Sequence, residues 1–423
     1  MDIMLIVFFI SALMIFSGVV YKKLQQISIT EPFLALLLGV IVGPDVLGII
    51  KSAPAEDEFK ILKTVCQFTL AMALMAAALR LPTGFFKKNR QTAIVLVTGG
   101  MILMWFLSSG VIFLALTGFS FVQCLLLGAI ITPTDPVIAS TLTSGKMAKK
   151  YLPGFLRNNL SFESGVNDGL AYPIVFLALL IAGYAGFGLK EWTTRVFLYE
   201  TVLCAVLALL VGTGAGYIMK KAHKAGWMNK KTLLPFSIAV ALVLLAGFNA
   251  LKMNGIIAVF IGGYAFAQDI TGHEDLEEKS IQESMERLTT SPALFILGLM
   301  LPWQEWYNLG WKAPAVILLI LFFRRIPALL TLMPLLPKFR YKKYSSLLIG
   351  WFGPIGVSAL YYAVEMKEKS GMEEAWIIPS LIVCGSTVVH GFTSIPLEKL
   401  YHRKAKRANE IKEEVGEKEN LLY

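Results

Sequence analysis

Apolar runs of about 18–25 residues follow one another along almost the whole chain, separated by short polar loops. Each run has the length a helix needs to cross about 30 Å of hydrocarbon. A segment inside lipid must satisfy its own backbone hydrogen bonds, and a helix does so without a partner. The fold class this dictates is an all-α polytopic membrane protein. Composition points the same way. The chain is 56% hydrophobic and 16% charged, with a mean hydropathy of +0.64. A soluble domain carries about 25% charged residues.

Thirteen runs read as transmembrane helices: 2–21, 33–50, 61–79, 91–117, 121–143, 158–182, 196–219, 233–250, 255–270, 289–303, 313–335, 345–365 and 375–395. The first lacks a basic leader and a small-residue cleavage site, so it reads as a span and not as a cleaved signal. Residues 1–395 form the transmembrane domain, and 396–423 form a short polar tail.

The net charge of +10 is not a nucleic-acid signal, because Lys and Arg sit in the short loops. Counted in order, the odd loops are the basic ones. They hold Lys22 and Lys23, then Arg80, Lys87, Lys88 and Arg90, then Lys146, Lys149, Lys150 and Arg157. Lys220, Lys221 and Lys224 follow, then Lys338, Lys342 and Lys343. Positive loops face the cytoplasm, which places the C-terminus inside and the N-terminus outside. Loop 271–288 is acidic and reads as an amphipathic surface helix. Cys66, Cys124, Cys204 and Cys384 all lie within apolar runs without metal-ligand spacing, and read as small buried hydrophobes.

Two spans carry breaks. The fifth contains TPTDP at 132–136, and the twelfth contains GPIG at 353–356. Proline removes a backbone donor and glycine weakens the helix, so both should unwind near mid-membrane. They are seven spans apart, and an odd offset sets them in opposite topology. Broken helices at matching positions of two inverted repeats are a pointer to a transporter binding site. The plainer reading, a simple proline kink, fits the twelfth span better than the fifth, which also carries a carboxylate.

The acids in these apolar surroundings narrow the function. A charge at the bilayer centre costs about 2.5 kcal/mol or more, so such residues mark ion paths and proton relays. Asp135 lies between two prolines, after Thr132 and Thr134. It can help hold a small cation, or it can be a structural charge at the break. Glu163, Ser164, Asn167 and Asp168 lie in the sixth span. Ser164 and Asp168 share one helical face, and Glu163 and Asn167 share the next. Burial favours the neutral form of a carboxylate. Asp168 can therefore hold a proton and release it when a cation arrives, which is the minimal requirement for exchange. Arg324 and Arg325 lie about mid-span in the eleventh run and need an acidic partner, for which Glu163 is the candidate. His390 reads as a hydrogen-bonded packing residue.

An intramembrane aspartyl protease built on Asp135 and Asp168 is a remote alternative. It needs two carboxylates sharing a proton, and Asp135 between prolines is poorly placed for that. A channel would show rings of carbonyls or charges, which are not evident in the sequence.

The chain resembles the NhaP-type sodium/proton antiporters of the monovalent cation:proton antiporter family, relatives of the animal sodium/hydrogen exchangers. The matching residues are Thr134–Pro136, the FESGVNDG run at Phe162–Gly169, the mid-span Arg325, and the break at Gly353–Gly356. The resemblance implies a secondary transporter, not an enzyme, that exchanges Na+ or Li+ for H+. A K+/H+ exchanger is the alternative. It implies a homodimer in membrane lipid, with a core bundle including spans 121–182 and 313–395 that moves against a dimerisation bundle. The membrane implied is the plasma membrane. No cofactor and no nucleic acid are implied. Asp168 would carry the ion, with Na+ held at Asp168, Asp135, Thr134 and Ser164. Asn167, in place of a second acid, goes with electroneutral exchange. Glu163 would pair with Arg325 in preference to Arg324. Two departures stand out. The third span has no acid, Gln67 being the nearest polar substitute, and the break in the twelfth span holds Ile355 where relatives carry a basic residue.

Overall fold

The computed structural model describes residues 3–26, 29–52, 54–143, 145–227, 232–270, 291–339 and 342–408. Among the described residues every regular element is a helix. Helix α1 spans Ile3–Gln26 and α2 spans Glu31–Val42, started by Pro32 in its first turn. Helix α3 covers Ala55–Leu79. From Leu70 to Ala78 it is buried on every face, as only a central helix can be. Its Ala, Leu and Met residues combine high helix propensity with small or adaptable volume. Helix α4 runs over Phe85–Ala115 with a π-helical turn at Leu96–Gly100.

The fifth expected span is two half-helices, α5 at Phe121–Ile130 and α6 at Pro136–Thr143. A capping box at Ser120 and Gln123 starts α5. A short α7 at Gly145–Tyr151 leads to α8, Gly154–Ile181. Helix α9 covers Leu189–Lys224, with a π-helical stretch at Trp192–Leu203. Helices α10 at Leu233–Ala250 and α11 at Gly255–Ile270 follow. A helix at 291–299, here α12, crosses α2 so closely that a Cβ on Gly39 or Gly298 would strike the facing backbone. Helix α13 is the short Trp303–Leu309.

The eleventh expected span is interrupted. Helix α14 covers Lys312–Phe323 and α15 covers Ile326–Leu332, with Arg324 and Arg325 between them. Pro327 lacks an amide hydrogen and crowds the carbonyl four residues back, so the helix opens just before it. The twelfth span is again two half-helices, α16 at Lys343–Trp351 and α17 at Val357–Ser370. The last helix, α18, runs over Glu374–Arg407.

Among the described residues, seven helical segments are long and apolar enough to cross a membrane, the interrupted Lys312–Leu335 counted as one, and four apolar helices are shorter. Three expectations for the spans change most. The second span ends at Val42, not at residue 50. The eleventh is not continuous. The boundary at 395/396 falls inside α18, which continues through Pro396 and buries Tyr401 and Ala405 against α16 and its neighbours. The acidic loop 271–288 and the end of the tail lie outside the described residues.

Candidate functional site

The two unwound segments meet. The Asp135 amide donates to the Pro354 carbonyl at 2.9 Å, tying one break to the other. Half-helices leave unpaired amides at their starts and unpaired carbonyls at their ends, with partial positive and negative charge respectively. Asp135 answers the amides. Its Oδ1 accepts from the Val137 amide at 2.6 Å, at the start of α6, and its Oδ2 accepts from the Val357 amide at the start of α17. The carboxylate is fully buried, and a Cβ on Gly356 would overlap it.

Arg324 answers the carbonyls. Its Nη1 donates to Ile131 at 2.6 Å and to Thr132 and Pro133 at 3.2 Å, beyond the end of α5. Its Nη2 donates to the Gly353 carbonyl beyond the end of α16. One guanidinium fork thus spans both breaks, a geometry an ammonium cannot reproduce. Ser386 on α18 adds a bond from the Ile355 amide to its hydroxyl at 2.8 Å.

Next to the crossing, Arg325 Nη2 lies 2.8 Å from Glu163 Oε2, with each side chain 2% exposed. A buried pair of this kind neutralises itself, and removing one member leaves a buried charge without compensation.

Asp168 is different. It is fully buried, and neither carboxylate oxygen has a closed hydrogen bond among the described residues. Its neighbour Asn167 donates to Thr134 Oγ1 at 2.6 Å, which links α8 to the first break and leaves Asn167 Oδ1 without a partner. Tyr362 on α17 donates to the Asp168 backbone carbonyl. Buried polar atoms are nearly always paired, and each unpaired one costs about 1–3 kcal/mol. Unpaired oxygens on adjacent residues of one helix make a local surplus of hard acceptors.

The expected site residues thus separate. Asp135, Thr134, Asn167 and Asp168 come together at the crossing, with Glu163 and Arg325 beside them. The Ser164 hydroxyl donates to the Leu160 carbonyl at 2.8 Å, and that of Thr132 donates to the Gly128 carbonyl at 2.7 Å, each within its own helix. Gln67 is partly buried and pairs with Tyr361, while Cys66, one residue earlier, is the part of α3 that neighbours Asp135. His390 is held between the carbonyls of Ser386 and Trp351, each at 3.0 Å. Ser386 and Tyr362 were not foreseen. Both contact backbone atoms, which leave no pattern in a sequence.

A family model described as sodium/hydrogen exchanger, transmembrane, matches residues 8–399. The Na+/H+ antiporter 2 of Zygosaccharomyces rouxii is 32% identical over 364 residues, which cover 84% of this chain and 45% of that protein. A Na+/H+ antiporter of Saccharomyces cerevisiae is 30% identical over 359 residues, 83% of this chain and 36% of that protein. The chain spans less than half the length of these two yeast relatives. The sodium proton antiporter MjNhaP1 of Methanocaldococcus jannaschii superimposes with a TM-score of 0.70, covering 94% of this chain and 99% of that one. Its sequence identity is 20%, so the likeness is one of fold.

Proposed function

Because this chain belongs to the sodium/hydrogen exchanger transmembrane family, we propose that it is a secondary transporter exchanging Na+ for H+, with Asp168 as the group that carries either ion. The observation behind this reading is the Asp168 carboxylate itself, buried at a helix crossing with both oxygens unpaired. Such a group binds a proton or a cation, and the two compete for the same lone pairs. Alternating access then exposes Asp168 to one side of the membrane and to the other.

Charge accounting supports electroneutral exchange. Glu163 is balanced by Arg325 at 2.8 Å. Asp135 is held by helix amides, and Arg324 by helix carbonyls. Asn167 carries no charge. Asp168 is left as the one titrating member of the crossing, so one Na+ replaces one H+. Thr134, Asp135, Asn167 and Ser164 surround the ion with hard oxygens, Ser164 through the lone pairs of a hydroxyl whose proton is already engaged. Li+ fits the same ligands. The protease alternative suffers because both Asp135 oxygens already accept backbone amides, and a proton-sharing dyad needs one of them free.

The transporter works as a homodimer in a plasma-membrane bilayer, one bundle moving against the other, with a cytoplasmic C-terminus as the basic loops direct. The test uses proteoliposomes with an internal pH indicator. An inward Na+ gradient should drive proton efflux at the same rate whether the potential is clamped or free. A rate that follows the imposed potential overturns electroneutrality. A K+ gradient that works better than Na+ overturns the assignment of the cation.

A further inference from the structure

We propose that Ser358 is a ligand of the transported cation, so that the ion is gripped by the second broken helix as well as by α8. This rests on the reading of Asp168 as the carrier and adds a residue to that site.

Ser358 is the second residue of α17, immediately past the break at Gly353–Gly356. It is fully buried, and its hydroxyl has no closed hydrogen bond among the described residues. Its position in the helix is fixed on both sides. Before it, the Val357 amide is tied to the Asp135 carboxylate. One turn after it, Tyr362 donates to the Asp168 carbonyl. Residues four apart share a helical face, so Ser358 and Tyr362 look toward α8 at the level of Asp168. The Ser358 hydroxyl faces the Asp168 carboxylate at the edge of hydrogen-bonding range.

The break explains why this hydroxyl is unpaired. A buried serine in a helix ordinarily donates to the carbonyl four residues back, as Ser164 and Ser380 do here. For Ser358 that carbonyl belongs to Pro354, which lies in the unwound segment and accepts from the Asp135 amide instead. Unwinding therefore frees one hydroxyl at the mouth of α17 and aims it at the carboxylate. Together with Asp168 Oδ1 and Oδ2 and Asn167 Oδ1, it makes four buried oxygens without partners, drawn from two elements. Hard monovalent cations take such neutral and charged oxygens together. The hydroxyl adds a ligand without adding charge, so one-for-one exchange is preserved. A ligand from a second element also sets the width of the site, and width with ligand number governs selection by ion size.

The test measures proton flux in proteoliposomes against Li+, Na+ and K+ concentration for the full chain, Ser358→Ala and Ser358→Thr. Na+-dependent thermal stabilisation of the detergent-purified proteins runs in parallel. In Ser358→Ala the half-saturating Na+ should rise about five- to tenfold in both assays, more than any fall in maximal rate. Li+ should follow Na+, and K+ should change least. Ser358→Thr, which keeps the hydroxyl, should return half-saturation to within about twofold of the parent. Unchanged half-saturation in Ser358→Ala, with or without a lower maximal rate, overturns the inference. Absence of cation-driven flux in the parent chain overturns the antiporter reading instead, and the stabilisation assay then still decides whether Ser358 binds the ion.

Discussion

Asp135 and Arg324 hold the same helix crossing by opposite charges. The carboxylate takes the amide ends of α6 and α17, and the guanidinium takes the carbonyl ends of α5 and α16. An Asn at 135 keeps one acceptor oxygen in place of two, so one of the Val137 and Val357 amides must lose its partner. Asp135→Asn should cost about 1–3 kcal/mol of stability. Thermal unfolding of the purified protein should show a lower midpoint, and Arg324→Lys should show a loss of similar size. A midpoint unchanged in both would mean that the crossing does not depend on these caps.

The Glu163–Arg325 pair makes a separate prediction, because it lies outside those caps. Glu163→Gln leaves a buried guanidinium without its counter-charge and should destabilise by about 3–5 kcal/mol. Glu163→Gln combined with Arg325→Gln removes both charges and should recover part of that loss. A double-mutant cycle by thermal or denaturant unfolding measures the coupling, and losses that simply add would show the pair to be uncoupled.

Gly356 is constrained by a close contact. A Cβ at that position overlaps the Asp135 carboxylate, whereas one at Gly110 in α4 meets nothing within 4 Å. Gly356→Ala should therefore displace Asp135 and abolish exchange. Gly110→Ala should stay active and gain about 0.5–1 kcal/mol from helix propensity. Flux and melting point measured on the two variants provide the check.

These contrasts also show which features a sequence can carry. The breaks in the fifth and twelfth spans were legible because proline and glycine interrupt apolar runs. Glu163 and Arg325 were legible because charges stand out against such runs and one needs the other. The partners of Arg324 were not legible, since they are backbone carbonyls with no side-chain signature. The free hydroxyl of Ser358 was equally hidden, because it exists only once Pro354 has left helical geometry. The interruption at Arg324 and Arg325 follows from Pro327, yet a proline in an apolar run does not by itself decide between a kink and a break. Pro396 shows the opposite outcome. It lies just past the expected end of the last span at residue 395, yet α18 passes through it to Arg407, held by Tyr401 and Ala405 in a buried cluster. Tertiary packing settled both cases.

If Asp168 alone carries the exchanged ions, Asp168→Asn must stop exchange. The substitution keeps the shape of the side chain and removes its ability to ionise. In proteoliposomes, Na+-driven proton flux in this variant should fall to the level of protein-free vesicles, while the protein remains folded by thermal unfolding. Sustained flux in folded Asp168→Asn would contradict the account and move the carrier to another group.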